Sequence, residues 1–260
     1  MKKYLVIGNP IEHSLSPKLH SHWIKENSID AVYDKKKLSE TDIKGIIMKV
    51  KVGKIDGINV TVPFKKSVIS FLDQLTVLAK EAQSVNTIFK KDNKIIGDNT
   101  DVGGFEHSLK HINYSVKNKK IFILGAGGVA PSIILALKRM GASKIILSNR
   151  TKEKAEDLKK MYADLEIIEW GNTPDFNMII NATSLGLKND DEIKLNYADI
   201  GTNKLFYDVI YNPSKTNFLL EGEKLGNNIE NGKMMFIYQA QLAFKVWHNV
   251  LPKIDDKLLD

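Results

Sequence analysis

Short apolar runs that stop at glycine, proline or asparagine alternate along this chain with stretches whose apolar positions recur at helical spacing. Residues 3–7 (Lys-Tyr-Leu-Val-Ile) are β-rich and end at Gly8-Asn9-Pro10. A helix start follows, with Ser16 as N-cap and Pro17 at the first helical position, where the missing N–H has no intrahelical partner to lose. The pattern then predicts a strand over 31–35, a helix over 40–49, a strand over 55–60 and a helical stretch over 71–82. Strand-like runs at 85–89 and 95–97 close this part. Strands alternating with helices in this way predict an α/β layer with a mostly parallel sheet.

A helix over 104–112 leads into a polar, lysine-rich stretch, and a domain junction is expected at that helix. A second alternating series begins with a buried strand over 120–124. It continues with a helix over 129–140, a strand over 144–148, a helix over 152–161 and strands over 166–168, 178–181 and 205–209. A helix over 216–225 and a short strand over 228–230 end the series. The last helix spans 235–251, with Phe236, Ala240, Ala243, Phe244 and Trp247 at helical spacing.

Composition narrows this picture. At 260 residues the chain makes one large domain or two small ones. Apolar residues at 43% and charged residues at 27% are those of an ordinary globular protein. No apolar run approaches the roughly 18 residues of a membrane helix, and the N-terminal run is too short for a signal peptide. No membrane partner is expected, and the cytoplasm is the expected location. The absence of cysteine removes disulfides, thiolate metal sites and cysteine nucleophiles, and no metal is expected. A net charge of +7 suits a nucleic acid or an anionic small molecule. Only Arg139 and Arg150 are arginine, however, and base-edge reading favours arginine. The charge therefore reads as a lysine-rich solvated surface, with no nucleic-acid partner.

The strand at 121–124 runs into Gly125-Ala126-Gly127-Gly128-Val129-Ala130, and a helix follows. This is the strand–turn–helix context of a dinucleotide fingerprint. Gly125 permits the tight turn, Gly127 lets the backbone approach a pyrophosphate, and the helix N-terminus offers that anion unpaired N–H groups. Ala130 takes the place of the third glycine. About 20 residues on, an NAD enzyme places a carboxylate on the ribose hydroxyl. Here the sequence reads Ser148-Asn149-Arg150-Thr151, with Lys154 one turn later. Arginine pairs with a 2′-phosphate and stacks on adenine, so the expected cofactor is NADP(H).

Polar motifs stand where the first half would present its loops. Ser14-Leu15-Ser16-Pro17 puts two hydroxyls at a helix entry, which N-capping explains equally well. Asn59, Thr61 and Lys65 stand at the end of a strand, with Asn59 and Thr61 on one side by alternation. Asn86 lies inside an otherwise apolar strand, a costly place for an amide unless it is bonded. Asp98-Asn99-Thr100-Asp101 ends the half, and an Asx turn would also explain it. Together these groups suit a small polyhydroxylated substrate. A lysine ammonium also suits ketone reduction, since negative charge builds on oxygen as hydride reaches carbon. In the second half Asn181-Ala-Thr183-Ser184-Leu-Gly186 and Asp208-Val209-Ile-Tyr211-Asn-Pro213 each end a strand, where ligands bind in open α/β sheets. Gln239 sits near the start of the last helix.

The set is specific when taken in order. The segments are IGNPIEHSLSPKLH (7–20), INVTVPFK (58–65), SVNTI (84–88), DNTDVGG (98–104), LGAGGVA (124–130), SNRTKEKA (148–155), NATSLG (181–186), DVIYNP (208–213) and NGKMMFIYQA (231–240). On these the chain resembles the shikimate dehydrogenase family over almost its whole length. The resemblance implies a substrate domain of residues 1–101 plus 236–260 and a Rossmann-like NADP domain of 102–235, with the active site in the cleft between them. It implies reversible NADPH-dependent reduction of 3-dehydroshikimate to shikimate, on the route to chorismate and aromatic amino acids, by a monomer or homodimer. Lys65 and Asp101 would be the catalytic pair. Ser14 and Ser16 would hold the substrate carboxylate, and Asn59, Thr61, Asn86, Tyr211 and Gln239 would line the same site. Gly125, Ala126, Gly127, Gly128, Val129, Asn149, Arg150, Thr151, Lys154, Thr183, Ser184, Val209 and Gly232 would line the NADP site. The chain departs from the usual pattern at Ser84, Ser21 and Met234, none of which replaces a catalytic group.

Three rivals are weighed against this reading. A quinate/shikimate dehydrogenase using NAD is disfavoured by the missing carboxylate at 148–150. A methylene-tetrahydrofolate dehydrogenase shares the architecture. A non-catalytic nucleotide sensor or basic nucleic-acid binder predicts salt-sensitive binding without turnover.

Overall fold

The first apolar run folds as strand β1 (Lys2–Gly8), followed by α1 (Ser16–Glu26), β2 (Ala31–Lys37), α2 (Ile43–Lys51), β3 (Gly57–Val60), β4 (Gln74–Leu75), α3 (Val77–Ala82), β5 (Thr87–Lys91), β6 (Lys94–Asp98) and α4 (Thr100–His111). The second series gives β7 (Lys120–Leu124), α5 (Ala130–Arg139), β8 (Lys144–Ser148), α6 (Lys152–Met161), β9 (Glu166–Ile168), β10 (Met178–Asn181), β11 (Leu205–Asp208), α7 (Asn217–Lys224) and β12 (Asn228–Glu230), and α8 (Lys233–His248) ends it. This computed structural model describes residues 1–188 and 190–255. The chain divides into two compact units, Met1–Phe105 joined by the segment from Ile237 onward, and Glu106–Phe236. Among the described residues no helix is long and apolar enough to cross a membrane.

The sheet of the first unit has the order β2-β1-β3-β5-β6-β4. Strand β1 is parallel to β2 and β3, and β4 is parallel to β6. Only β5 is reversed, antiparallel to β3 and β6. The reversal follows from the link between β5 and β6, where Asp92 and Asn93 both take positive φ (50° and 59°), the conformation of a tight two-residue hairpin. One face of the sheet packs on an aliphatic core that includes Ile7, Ile43, Ile47, Ile58, Val68 and Ile88. Aromatic side chains of α1, β2 and α8 gather in a second cluster. His20 lies flat on Tyr33, with ring centroids 4.2 Å apart, and meets Trp23 and Phe244 edge-on or stacked.

The sheet of the second unit has the order β12-β11-β10-β7-β8-β9, and every pair is parallel. Its order reverses between β7 and β10, the place where open α/β sheets bind ligands at their strand C-termini. Phe122, Leu124, Ile146, Phe176, Ile179, Phe206 and Phe218 build the core on one side of it.

Several local expectations are corrected. Ser16 opens α1 instead of capping it: the cap position is Leu15, and no side chain caps the helix. Ser14 Oγ accepts from Ser16 N at 3.3 Å, and the Ser16 side chain bonds Tyr33 instead. The helix expected over 71–82 is broken into a 3₁₀ turn (Ser67–Phe71), β4 and α3. Strand β4 pairs with β6, and Thr76 Oγ1 then caps α3 by accepting from Ala79 N at 3.4 Å. Helix α4 starts at Thr100, earlier than expected, because Asn99 Oδ1 accepts from Val102 N at 3.2 Å as an Asx cap, and Asp101 therefore lies in the first helical turn. Asn86 precedes β5, with its side chain turned to the start of α4. Thr61 and Lys65 follow β3 in a turn, so strand alternation does not relate Thr61 to Asn59. The last helix begins and ends earlier than expected, at Lys233 and His248.

Candidate active site

Four chain segments of the first unit converge on one buried ion pair. The turn after β3 is anchored by Phe64, which is 2% exposed, and by the Lys65 carbonyl, which accepts from Val85 N at 2.8 Å. It directs Lys65 at α4, where Nζ donates to Asp101 Oδ2 at 2.6 Å. The two side chains are 11% and 7% exposed. A desolvated pair of this kind persists only when its remaining hydrogen-bonding capacity is met. The other carboxylate oxygen meets it by accepting from Asn86 Nδ2 at 2.9 Å. The position of Asp101 in the first helical turn also favours a negative charge.

Asn86 organises the rest. Its Oδ1 accepts from Thr100 N at 2.8 Å, and its Nδ2 donates to Thr100 Oγ1 (2.8 Å) and to Gln239 Oε1 of α8 (3.3 Å). Its backbone carbonyl accepts from Val60 N and from Asn59 Nδ2. Asn59 in turn donates to Thr87 Oγ1 at 3.1 Å and accepts from the Tyr33 hydroxyl at 2.7 Å. Tyr33 is hydrogen-bonded to the Ser16 side chain, and burial pushes its phenol well above the usual range. An unbroken polar chain therefore runs from Ser16 through Tyr33, Asn59 and Asn86 to Asp101 and Lys65. Thr61 packs its methyl over Gly8 at the end of β1, where a Cβ on that glycine would collide with it. The arrangement holds an ammonium beside amides and hydroxyls that can hold a polar ring.

In the second unit β7 delivers Gly125, with φ of 103°, into a turn where a Cβ would meet Thr183 Cγ2 at 2.7 Å and the Ala182 carbonyl at 2.9 Å. Asn149 at the end of β8 fixes that turn by accepting from Ala126 N at 2.9 Å, and its amide reaches Thr151 O. Gly127 is exposed, and a Cβ there would touch only the Ala182 carbonyl at an ordinary 3.6 Å. The fold itself does not require glycine at 127, whereas close approach by a phosphate does. The exposed Arg150, Thr151 and Lys154 stand beside this turn with no carboxylate at the end of β8. The residues present therefore fit a dinucleotide that carries a 2′-phosphate. Thr183 and Ser184 follow β10, and Val209 follows β11. Gly232 packs so close to the Val209 carbonyl that no side chain fits.

Lys65, Asp101, Asn86 and Gln239 are thus brought together, and Ser16 and Asn59 join them through the chain below. Every polar side-chain atom of Asn59 is engaged by protein, which makes it a brace for Asn86. Ser14 and Thr61 lie on the neighbouring loops. Tyr211 belongs to the second unit and stacks on Phe236 at 4.7 Å. Sequence reasoning missed Tyr33 and Thr100. Asp208 stood in the motif 208–213, but its full burial at the end of β11 was not legible.

Residues 6–88 match the family model of the shikimate dehydrogenase substrate binding domain, and residues 107–184 match that of shikimate / quinate 5-dehydrogenase. Over 259 residues the chain is 58% identical to the shikimate dehydrogenase (NADP(+)) of Pelagibacter ubique, covering 100% of this chain and 98% of the relative. The chain belongs to the shikimate dehydrogenase family. Two solved shikimate dehydrogenases share its fold throughout. That of Aquifex aeolicus is 36% identical with a TM-score of 0.90, covering 99% of this chain and 96% of that one. That of Thermus thermophilus, in complex with NADP(H) and shikimate, is 27% identical with a TM-score of 0.90, covering 100% and 97%. Family membership removes the folate-dependent and non-catalytic readings.

Proposed function

We propose that this chain catalyses the reversible NADPH-dependent reduction of 3-dehydroshikimate to shikimate, on the route to chorismate and the aromatic amino acids. The observation that carries this reading is the buried Lys65–Asp101 pair with Asn86 and Gln239 around it. NADPH, when bound, supplies the hydride. The chain does the rest. Lys65 donates a proton from Nζ to the carbonyl oxygen as that oxygen becomes a hydroxyl, and it opposes the charge that develops there. Asp101 orients Lys65 through one oxygen and, together with Asn86, Gln239 and Thr61, holds the ring hydroxyls. Ser14 and Ser16 take the substrate carboxylate, and Tyr211 is assigned to the substrate as well.

The first unit, with boundaries close to 1–101 plus 236–260, is the substrate half in this proposal, and the second is the NADP half. The turn 125–129 receives the pyrophosphate. Asn149, Arg150, Thr151 and Lys154 receive the adenosine end, where the guanidinium gives the preference for a 2′-phosphate. Thr183, Ser184, Val209 and Gly232 line the remainder. The reaction is placed in the cytoplasm and assigned to a monomer or homodimer, which sedimentation would distinguish.

The test mixes purified protein with shikimate and NADP+ and follows absorbance of the reduced cofactor. Parallel cuvettes hold quinate, NAD+ or the Lys65→Ala variant. Turnover is expected with shikimate and NADP+, and the variant should lose about 100- to 10,000-fold in kcat while still binding shikimate. Preference for quinate, which the matched family description also names, would revise the substrate. Absence of turnover from folded protein would overturn the proposal.

A further inference from the structure

Asp208 plays no part in the chemistry proposed above, yet it sits where three loops of the dinucleotide unit meet. It ends β11 in register with Asn181, the last residue of β10, and both are fully buried. Asn181 Nδ2 donates to both Asp208 oxygens, at 3.0 and 3.1 Å, and to the Leu185 carbonyl at 2.9 Å. Asn181 Oδ1 accepts from Thr183 N at 3.0 Å and from Thr183 Oγ1 at 2.7 Å. Thr183 is the side chain against which Gly125 of the phosphate turn packs. Asp208 Oδ1 also accepts from Ile210 N at 3.0 Å, which shapes the loop that bears Val209 and Tyr211. Oδ2 accepts from Thr216 Oγ1 at 2.6 Å, and Thr216 caps α7 and packs beneath Gly186.

We propose that Asp208 is a positioning residue for the cofactor: as an ionised, acceptor-only group it anchors the Asn181 amide, and through that amide it holds the Thr183 turn against the phosphate loop. An ionised carboxylate can only accept, so both Asp208 oxygens are open to the Asn181 NH₂, to Ile210 N and to Thr216 Oγ1. The Leu185 carbonyl and Thr183 N set the direction of the same amide, and Asp208 anchors it in that direction. Once Asp208 carries a proton, one of its oxygens must donate and can no longer accept from all of these groups, so the Asn181 amide and the Thr183 turn lose part of their anchor. Among the described residues no cation pairs with Asp208, and burial pushes its carboxyl up to about 6 against the pull of its neutral hydrogen-bond partners. The titratable groups on adjoining elements are Tyr207 beside it on β11, Glu230 on β12, Asp191 on the loop after β10 and Lys215 before Thr216. None of them is a cause of the Asp208 shift. The inference rests on the NADP-dependent reading given above.

The experiment measures equilibrium binding of NADP+ to the full chain and to Asp208→Asn between pH 5 and 8, with shikimate binding and thermal unfolding alongside. The 2′-phosphate titrates in the same range in both proteins, so the ratio of their affinities isolates Asp208. At pH 8 the variant should bind NADP+ about 10- to 100-fold more weakly, the range for losing hydrogen bonds to a charged group. The ratio should approach one at pH 5, and shikimate affinity should be unchanged. Thr216→Val keeps the carboxylate but removes one donor to it, so the midpoint of the pH profile should move to higher pH. A ratio near one at pH 8, a ratio independent of pH, or an unmoved midpoint in Thr216→Val would each overturn the inference. If the unaltered chain fails to bind NADP+ at any pH, the functional reading falls, and the inference with it.

Discussion

Asp101 has two neighbours that both donate to it, Lys65 through Nζ and Asn86 through Nδ2. An amide of the same shape must turn its own NH₂ against one of them. Asp101→Asn is therefore expected to lower kcat by about 100-fold or more, since the proton donor is no longer aimed. The variant also leaves a buried ammonium without its counter-charge, which typically costs about 3–5 kcal/mol. Thermal unfolding should therefore show a lower Tm, and steady-state rates with shikimate and NADP+ should show the kinetic loss. An unchanged Tm would mean that the pair is far better solvated than its 11% and 7% exposures suggest. Lys65 and Asp101 stand in short polar motifs, but pattern alone leaves Lys65 open to reading as solvated surface, and only the resemblance pairs the two. Tyr33 was not legible, since it stands alone among exposed lysines on β2 and only the fold brings Asn59 and Ser16 to its hydroxyl. Asp208 was visible as the first residue of a strand-end motif, but only the fold shows it fully buried among Asn181, Ile210 and Thr216.

Helix and strand boundaries were easier to read in the second unit than in the first, and the cause is physical. Strands β7, β8, β9 and β10 fall at the bounds the apolar runs predict. A parallel strand covered on both faces is apolar at nearly every position and stops abruptly. The first unit hides a two-residue strand, β4, and a 3₁₀ turn, neither long enough to leave a periodic trace. The packing of α1, β2 and α8 around His20 gives a prediction at this scale. Burial, helped by His248, pushes His20 down to about 3 from 6.5. The folded protein keeps it neutral while the unfolded chain protonates it, so its contribution to stability is complete above about pH 6.5 and is lost as pH falls towards 3. His248 is pushed down to about 4, chiefly by burial and then by Lys2, and acts in the same direction. The Tm should therefore fall between pH 7 and 4, and His20→Phe should flatten that slope. Phenylalanine forfeits nothing at Nε2, which has no hydrogen-bond partner among the described residues. An unchanged slope in calorimetry would remove His20 as the cause.

Over the whole molecule the charge of +7 is carried almost entirely by lysine. Such a field draws an anionic cofactor and an anionic substrate towards the surface without fixing where they bind. Raising ionic strength from about 0.01 M to about 0.15 M shortens the screening length from about 30 Å to about 8 Å. The value of kcat/KM for NADP+ should fall across that range while kcat changes little, and stopped-flow binding would assign the loss to association. A salt-independent kcat/KM would mean that local contacts alone govern capture. The chain path adds a further consequence. Residues 106–236 are contiguous, whereas the first unit needs α8, which brings Gln239 and Phe244, to be complete. On the ribosome the dinucleotide half can finish folding as soon as it emerges, but the half that holds Lys65 must wait for the last helix to be translated. A nascent chain halted just after Phe236 would thus bear a complete second unit and an incomplete first one, with Lys65 still waiting for Gln239 and the rest of α8.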